Sequence, residues 1–537
     1  MKMIHRPEGR RPSGSRPAPL RTRAYAVAGV LACLLAAAGC GGSSGGGGGA
    51  KDATATKSPL RIGVTYSAYQ YWKDPVTFGI SGREVNLELG LAYAPLTHMQ
   101  PNGTVVPAVA TSWHYSTTGT PYEDFTLTLR HDVKFADGTP LNAAAVVGWF
   151  NHFWDNHTGA SPGYSALLGP NPKFQAVGEW TVEMHLTRAT PDLPALLSDG
   201  GDIWGFIGSP KCVANPALFA TQTCGAGPYQ LESAQTVAGD HYTYVPNPYY
   251  YDTKNAKFSQ VTVKVIPLAS SMLQALQAGQ LDIAAVGNDA STAAAAKSSG
   301  FTVNAATNGA WVSIFNLHVK AMADIRVREA INYAIDRKAI ADATGFGYSQ
   351  PYSEFPVSDA ADPAYTSYYP YDPAKAKSLL AAAGYPHGLS LTTHLTGQGQ
   401  QLFPVVAKYL AAVGINVNVL PLNTADMAAS ANDPFGFVQM GFSPTLPSYV
   451  RWLDPTSPFD LFGNDPTTSS LYSDGLKAND PIPDWKEMWG RTVTQARFLV
   501  VGTFPILYYS SKSVGGVNVT LARAGTPLVT EMYPTGK

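Results

Sequence analysis

Charged side chains are scarce in this sequence, and their scarcity excludes some partners. Only 14% of the 537 residues are charged, and 38 acidic against 37 basic residues leave a net charge of -1. Nucleic acids and anionic membrane surfaces are bound through clusters of basic residues. We therefore expect no nucleic-acid partner and no polybasic contact with a membrane.

Local motifs of catalysis are missing as well. Residues 60–537 contain no GxSxG, no HExxH, no P-loop and no GxGxxG after a strand, which are patterns of common hydrolases, zinc peptidases and nucleotide-binding enzymes. His152 and His157 are five residues apart, and a spacing of four would place them on one helix face better. We therefore expect no enzyme activity, no cofactor and no metal site.

The amino terminus lacks an apolar run long enough to span a bilayer. The run from Ala24 to Ala38 has 15 residues, whereas a spanning helix needs roughly 20. It follows a segment that has six arginines and one acid, and this order is typical of a signal peptide. Residues 1–39 are predicted to be that signal, and Arg10-Arg11 leaves twin-arginine export open beside the general route.

The apolar run ends in Ala37-Ala38-Gly39-Cys40, which resembles the cleavage box of bacterial lipoproteins. This resemblance implies that Cys40 is the lipidated first residue of the exported chain. Residues 40–59 are rich in glycine and serine and have little to bury, so they are predicted to form a flexible tether. We expect the chain to be lipid-anchored at the outer face of the cytoplasmic membrane.

Cysteine is rare, with four residues in the whole chain. Cys33 leaves with the signal and Cys40 carries the lipid, so that Cys212 and Cys224 remain. Their spacing is not that of a CxxC metal or redox motif, and no histidine pair accompanies them at zinc spacing. In an oxidising compartment we expect these two residues to form a disulfide that closes a surface loop.

What the sequence does have is a segment, 125–147, whose hydrophobic period changes from two to nearly four. Phe125, Leu127 and Leu129 alternate with polar residues, which predicts a strand with one buried face. Gly138 supplies a turn. Asn142 then caps a predicted helix with one apolar face, formed by Val146, Trp149, Phe150 and Phe153.

This segment resembles the signature of family 5 solute-binding proteins of ABC importers, the peptide and nickel group. The resemblance is carried by Leu129, Arg130, Val133, Phe135, Asp137, Gly138, Pro140, Ala143 and Val146. Further matches follow in the family's order, namely CGAGPY at 224–229, ALQAGQLD at 275–282, DIRVREAINYAIDR from Asp324 and DPAKAK from Asp372. The resemblance covers nearly the whole exported chain.

The resemblance implies an α/β fold, a bilobal clamshell like type II periplasmic binding proteins and similar to their cluster C, with an inserted subdomain and a two-crossing hinge. Residues 60–98 and 215–310 would form lobe 1, and 99–214 the inserted subdomain. Residues 311–500 would form lobe 2, and 501–537 would return to lobe 1. The strand and helix alternation near 270–283 itself predicts a mostly parallel sheet.

Two helices are predicted in more detail. One has Ser270 as its cap and Gly279 as its terminator. The other begins at the cap Asp324 and buries a stripe that includes Val327 and Ile331. Its charged residues are expected on a solvated face with local ion pairs, and these are Arg326, Arg328, Glu329, Asp336 and Arg337.

The function that the resemblance implies is capture of a solute between the two lobes, after which the closed form engages a permease. We expect a monomer whose partners are ABC permease subunits and a small peptide or other organic solute. Nickel complexes and oligosaccharides stay open as ligands. A sensor or adhesin that uses the same fold without transport stays open as a function.

The residues of the cleft are inferred from position. Ligands of open α/β sheets lie outside the carboxyl ends of strands, where this chain has polar and aromatic loops. Where the family often has G-W-x-x-D this sequence has GFSPT, so Thr445 replaces the carboxylate that receives a peptide's amino terminus, unless Asp454 supplies it. The ligand-binding residues predicted are Tyr69, Trp72, Trp311, Asn316, Phe442 and Trp452.

Overall fold

The computed structural model describes residues 57–68, 83–156, 168–200, 205–287, 289–344, 362–395, 397–421, 433–436, 440–441, 465–478, 482–520, 523 and 525–536. Its strands are β1 (Leu60–Val64), β2 (Thr97–Met99), β3 (Val105–Pro107), β4 (Ala110–Tyr115), β5 (Asp124–Leu129), β6 (Lys173–Val177), β7 (Thr181–His185), β8 (Tyr229–Leu231), β9 (His241–Pro246), β10 (Val261–Val265), β11 (Ile283–Gly287), β12 (Thr302–Phe315), β13 (Leu389–Leu395), β14 (Ile415–Pro421), β15 (Phe435–Gly436), β16 (Met440–Gly441), β17 (Phe498–Ser510), β18 (Val514–Gly515) and β19 (Tyr533–Pro534).

The α-helices of the described residues lie between and beside these strands. Their bounds are Arg83–Ala92, Ala143–Asn156, Leu193–Leu196, Pro210–Ala214, Ala269–Gln277, Ala293–Ser298, Lys320–Ala323, Ile325–Ala334, Arg337–Thr344, Pro373–Ala382, Gly397–Ala412, Pro466–Lys477 and Ile482–Thr494.

The central sheet is mixed, with the order β15-β12-β17-β11-β1-β10-β9-β8 and β16 beside β12. Strand β1 is parallel to β10 and to β11. The remaining pairs of this sheet, including β9 with β10 and β17 with β11, are antiparallel. The prediction of a mostly parallel sheet is therefore wrong. It rests on one strand-helix-strand unit. The residue pattern of a strand does not give the direction of its neighbour, so it does not show that β9 and β17 are antiparallel to β10 and β11.

Strands β12 and β17 form one long antiparallel ribbon. It runs from the pair of Thr302 with Ser510 to the pair of Ile314 with Phe498. At one end β17 also pairs with β11, and at the other end β12 pairs with β15 and β16. Register shifts occur near its middle, between Thr307 and Gly309 and between Trp311 and Val312. The ribbon is the physical connection between two parts of the molecule that have separate cores.

One hydrophobic core packs around β1 and β10 and includes Ile62, Leu89 and Val263. The same core includes Phe125 and Trp149 of the segment predicted as an inserted subdomain, whose strands form the sheet β4-β5-β7-β6. A second core packs the helices Ile325–Ala334, Pro373–Ala382 and Gly397–Ala412 against β13 and the far half of the ribbon. The domain boundaries at 98, 214, 310 and 500 stay predictions.

The segment 125–147 has the local structure that its pattern predicts. Phe125, Leu127 and Leu129 are buried and alternate with partly exposed residues along β5. Gly138 has a φ of 80°, a conformation that costs glycine little. The side-chain oxygen of Asn142 accepts a hydrogen bond from the backbone N–H of Ala145 at 3.0 Å. Each of these three local predictions is confirmed.

Cys212 and Cys224 are joined by a disulfide, with their Cα atoms 6.0 Å apart. The turn that follows lies against the end of the helix Arg83–Ala92. A Cβ atom at Gly227 would come within 2.5 Å of the backbone oxygen of Leu91, so the approach requires glycine. This contact gives a physical reason for the glycines of CGAGPY.

The charged segment from Asp324 differs from its prediction, because the helix ends at Ala334, a second helix begins at Arg337, and two of its arginines are buried. Arg326 is exposed and pairs with Asp324, Nη2 to Oδ2 at 2.6 Å, as expected. Arg328 is only 4% exposed and donates to the carbonyl oxygens of Ala496 at 3.0 Å and Met322 at 2.6 Å. Arg328 is therefore a buried backbone-binding residue and does not lie on a solvated face.

Arg337 is buried in the same way, at 5% exposure. Its guanidinium donates to the carbonyl oxygens of Val500 at 2.7 Å and Tyr369 at 2.9 Å and to Oδ1 of Asn332 at 2.9 Å. Burial lowers the pKa of Arg337 to about 10. The five donors of arginine suit this role, because they reach several carbonyls at once.

A smaller correction concerns the helix Ala269–Gln277. It begins one residue before Ser270, and the residue at the cap position is Leu268, whose side chain makes no capping hydrogen bond. Gly279 follows the helix with a φ of 67°, which confirms it as the terminator.

Arg337→Met should destabilise the second core strongly, because several buried carbonyl oxygens lose their donor at once. We expect a loss of at least about 3 kcal/mol in the free energy of unfolding, since each unsatisfied buried acceptor costs about 1–3 kcal/mol. Arg326→Met is the matched control and should cost much less, because an exposed ion pair contributes little to stability. Urea unfolding followed by circular dichroism measures both, and equal losses would contradict the structure.

Candidate functional site

The candidate cleft begins at the loop after β1, of which the structure describes the first residues. Strand β1 lies between its two parallel neighbours and ends at Val64. Residues that follow the carboxyl end of such a strand lie where open α/β sheets bind ligands. Tyr66, Ser67 and Ala68 begin this loop, and the predicted site residues Tyr69 and Trp72 come directly after them.

A buried carboxylate fixes the start of this loop. Oε2 of Glu88 accepts hydrogen bonds from the hydroxyl of Ser67 and the backbone N–H of Ala68, both at 2.6 Å. Oε1 accepts from the hydroxyl of Tyr244 at 2.6 Å. Glu88 is 0% exposed, so these donors are what its oxygens have in place of water. The side chain thus ties the helix Arg83–Ala92, strand β9 and the loop together.

Burial raises the pKa of Glu88, and the hydrogen bonds from Ser67, Tyr244 and Ala68 oppose that shift. Desolvation disfavours the charged carboxylate more than the three donors favour it. Sequence reasoning missed this residue. The signal was present, because Glu88 is a lone acid within the apolar stretch from Leu87 to Ala92.

Two predicted ligand residues lie in the second core. Trp311 is 2% exposed and packs among the residues around Phe315. Asn316 is 1% exposed, with its backbone N–H donating to the carbonyl oxygen of Pro434 and its Oδ1 accepting from the backbone N–H of His318. Trp311 lies within β12 and Asn316 directly follows that strand, and a ligand contact at either residue stays a prediction.

The other predicted site residues lie outside the described residues. These are Tyr69, Trp72, Phe442 and Trp452, together with Cys40, Thr445 and Asp454. Within the described ranges no group of three or more His, Cys, Asp or Glu residues is placed to hold a metal ion.

A third hydrophobic cluster lies at the ribbon. It includes Ala189, from the segment predicted as the inserted subdomain, together with Val312 of β12 and Tyr472 and Trp485 of two later helices, and Tyr122 packs against this cluster. Tyr122 has a φ of 64°, an uncommon conformation for a bulky residue. The cluster therefore combines residues from the predicted inserted subdomain with residues of the ribbon and of the later helices.

The described residues therefore form two cores, a two-stranded connection between them and a loop held by Glu88 at the end of β1.

The family model described as bacterial extracellular solute-binding proteins, family 5 Middle, matches residues 104–459. This span is more than half of the chain. The chain belongs to this family.

Relatives with assigned names are moderately similar. The glutathione-binding protein GsiB of Salmonella choleraesuis is 27% identical over 377 residues, which cover 65% of this chain and 72% of that protein. The GsiB protein of Escherichia coli O157:H7 is 25% identical over 449 residues, covering 75% of this chain and 82% of that protein.

Solved structures share the fold. The murein tripeptide binding protein MppA of Escherichia coli aligns with a TM-score of 0.76 at 20% identity, over 89% of this chain and 99% of that one. NikA of Brucella suis, in complex with Fe(III)-EDTA, aligns with a TM-score of 0.74 at 21% identity, over 89% and 100%. These likenesses establish the bilobal α/β periplasmic-binding-protein fold.

Family membership and fold together identify a solute-binding protein of the ABC-importer type, from a family of extracellular proteins. Among the helices that the structure describes, none is both long and apolar enough to cross a membrane.

Glu88→Gln should flatten one component of the pH dependence of stability. An acid whose pKa is raised on folding stabilises fully below its ordinary value, 4.5, and loses that contribution as pH rises toward the folded pKa. The amide stays neutral, so the stability of the wild type relative to the variant should fall as pH rises above 4.5.

Thermal unfolding at intervals from pH 4 to pH 8 measures this difference. Glu183→Gln, at an exposed position on β7, is the control for a general effect of removing one carboxylate. Parallel curves for the wild type and Glu88→Gln would show that Glu88 has the same proton affinity in the folded and unfolded chain.

Proposed function

We propose that this protein is the lipid-anchored receptor of an ABC importer, which captures a peptide-like or other organic solute between its two lobes and delivers it to a membrane permease. The observation that carries the proposal is the ribbon β12/β17, which joins two separately packed cores in a chain of family 5. Such a connection allows the lobes to close on a ligand without unfolding either one.

Closure would work as a shift of populations. A ligand that contacts both lobes binds the closed form more tightly than the open form and so raises the closed fraction. A permease that engages the closed form then receives loaded receptor in preference to empty receptor. Binding, orientation and release are sufficient for this cycle, and no covalent step is needed.

The ligand class is inferred from relatives and from one substitution. Named relatives bind glutathione, and one structural neighbour binds a murein tripeptide. A structural neighbour from A. tumefaciens R10, MoaA, holds mannopinic acid. The neutral Thr445 cannot give an ammonium the charge-assisted bond of a carboxylate. We therefore propose a peptide-like or modified organic solute whose recognition does not depend on a free amino terminus; nickel complexes and oligosaccharides are the alternatives.

Mass spectrometry of material released on denaturing the purified chain tests the ligand class. We expect one organic molecule, or a set of short peptides, at about one per chain, and the refolded protein should rebind it with a rise in the melting temperature. Protein refolded without the released material is the control. Stoichiometric nickel with no organic molecule, released or rebound, would overturn the proposal in favour of a metal receptor.

The lipid anchor makes a separate prediction. Cys40→Ser should move the protein from the membrane fraction to the medium or periplasm, because a serine cannot form the thioether that holds the lipid. Cys33→Ser, within the predicted signal, is the matched control and should leave the protein in the membrane fraction. Fractionation with immunoblotting measures both, and a membrane-bound Cys40→Ser protein would contradict lipidation at this residue.

A further inference from the structure

A cavity lies within the part of the molecule whose core packs around β1 and β10. Its volume is about 500 Å³, and its wall is formed by the helix Arg83–Ala92, the β2 and β3 region, residues 250–257 and the carboxyl-terminal residues 528–531. None of the described residues that line it comes from 311–500. The cavity is therefore distinct from the cleft proposed between the lobes.

Two side-chain pairs hold the wall of this cavity. His98 and Asp199 pair at 2.7 Å, Nδ1 to Oδ2, and the other oxygen of Asp199 accepts the backbone N–H of Met99 at 2.9 Å. Glu531 pairs with the buried guanidinium of Arg523. These pairs fix the wall.

Two opposite charges on the same wall have no ionic partner among the described residues. Lys257 donates from Nζ to the carbonyl oxygen of Thr530 at 2.8 Å, and it makes no ion pair there. Asp252 accepts from Nδ2 of Asn255 at 2.8 Å and likewise makes none. Arg130 acts on Asp252 only at longer range and is itself paired with Asp132 at 2.7 Å.

Both charges are held in place and are partly exposed. Hydrogen bonds to neutral groups orient Lys257 and Asp252 without satisfying their charges. A half-buried ammonium and a half-buried carboxylate gain most from opposite charges that come in together. A ligand that carries both signs would supply them in one molecule.

One part of the remaining wall is aromatic and apolar. Tyr93 and Phe206 meet edge to face with ring centroids 6.1 Å apart, and Leu528 lies on the same cavity. This part of the wall suits an apolar side chain of a ligand whose charged groups are held elsewhere on it.

We propose that this cavity binds a zwitterionic α-amino acid with an apolar side chain, with its carboxylate on Lys257, its ammonium on Asp252 and its side chain beside Tyr93 and Phe206. Because the cavity belongs to one lobe, the amino acid binds whether the lobes are open or closed. The site is independent of the ligand proposed for the cleft.

Isothermal titration of the purified chain tests this assignment with three probes of similar shape. L-Phenylalanine carries both charges, 2-phenylethylamine lacks the carboxylate, and 3-phenylpropanoate lacks the ammonium. We expect L-phenylalanine to bind one to one and each of the other two to bind about tenfold more weakly or worse, because hydrogen bonds to charged groups are each worth a tenfold factor or more.

Two variants locate the probe. Lys257→Met should weaken L-phenylalanine about tenfold or more and leave 2-phenylethylamine unchanged. Asp252→Asn should weaken L-phenylalanine and leave 3-phenylpropanoate unchanged. Lys254→Met, at an exposed neighbour in the turn 253–255 that does not line the cavity, is the matched control and should change nothing.

Either of two results would overturn the proposal. One is the absence of L-phenylalanine binding at millimolar concentration to a chain whose melting temperature shows it folded. The other is binding that both Lys257→Met and Asp252→Asn leave unchanged, which would place the amino acid elsewhere in the molecule.

Discussion

The backbone pairing of β12 with β17 is the constraint on which the rest of the structure depends. Strand β17 pairs with β11 at one end, β12 pairs with β15 and β16 at the other end, and the two strands pair with each other between them. The second core includes residues of both strands, and the first core includes Ile506 and Tyr508 of β17. The register shifts near the middle place a local irregularity in the ribbon beside the second core, and such shifts bend and twist a strand pair.

Buried polar side chains hold the segments that the ribbon brings together. Glu88 ties the loop after β1 to a helix and to β9. In the second core, Arg328 and Arg337 tie their helices to β17 and to the residues just before it, through the carbonyl oxygens of Gln495 and Val500. In each case a side chain satisfies backbone or hydroxyl groups that no regular ladder reaches. The loops of the candidate cleft thus begin from fixed points.

Sequence patterns were sufficient to predict local structure and the family. They predicted the burial of charged residues and the direction of strands less well. The alternation of Phe125 to Leu129 and the cap at Asn142 depend on neighbours in the chain, so they are readable. Arg337 contacts Val500, which is 163 residues away, and no local pattern distinguishes it from the exposed Arg326. The antiparallel return of β17 is equally non-local. Of the candidate site, the position after β1 was readable and Glu88 stood out as a lone acid, but its contact with Tyr244, 156 residues away, was not readable.

The place of β17 near the end of the chain also governs when the protein can fold. Synthesis produces the amino-terminal residues first, yet β11 and β12 both wait for a strand that is made much later. Both lobes must therefore remain incomplete, with open strand edges, until synthesis has passed Ser510. A truncation before Phe498 would leave two unfinished lobes, and no single cut would release one of them as an intact domain.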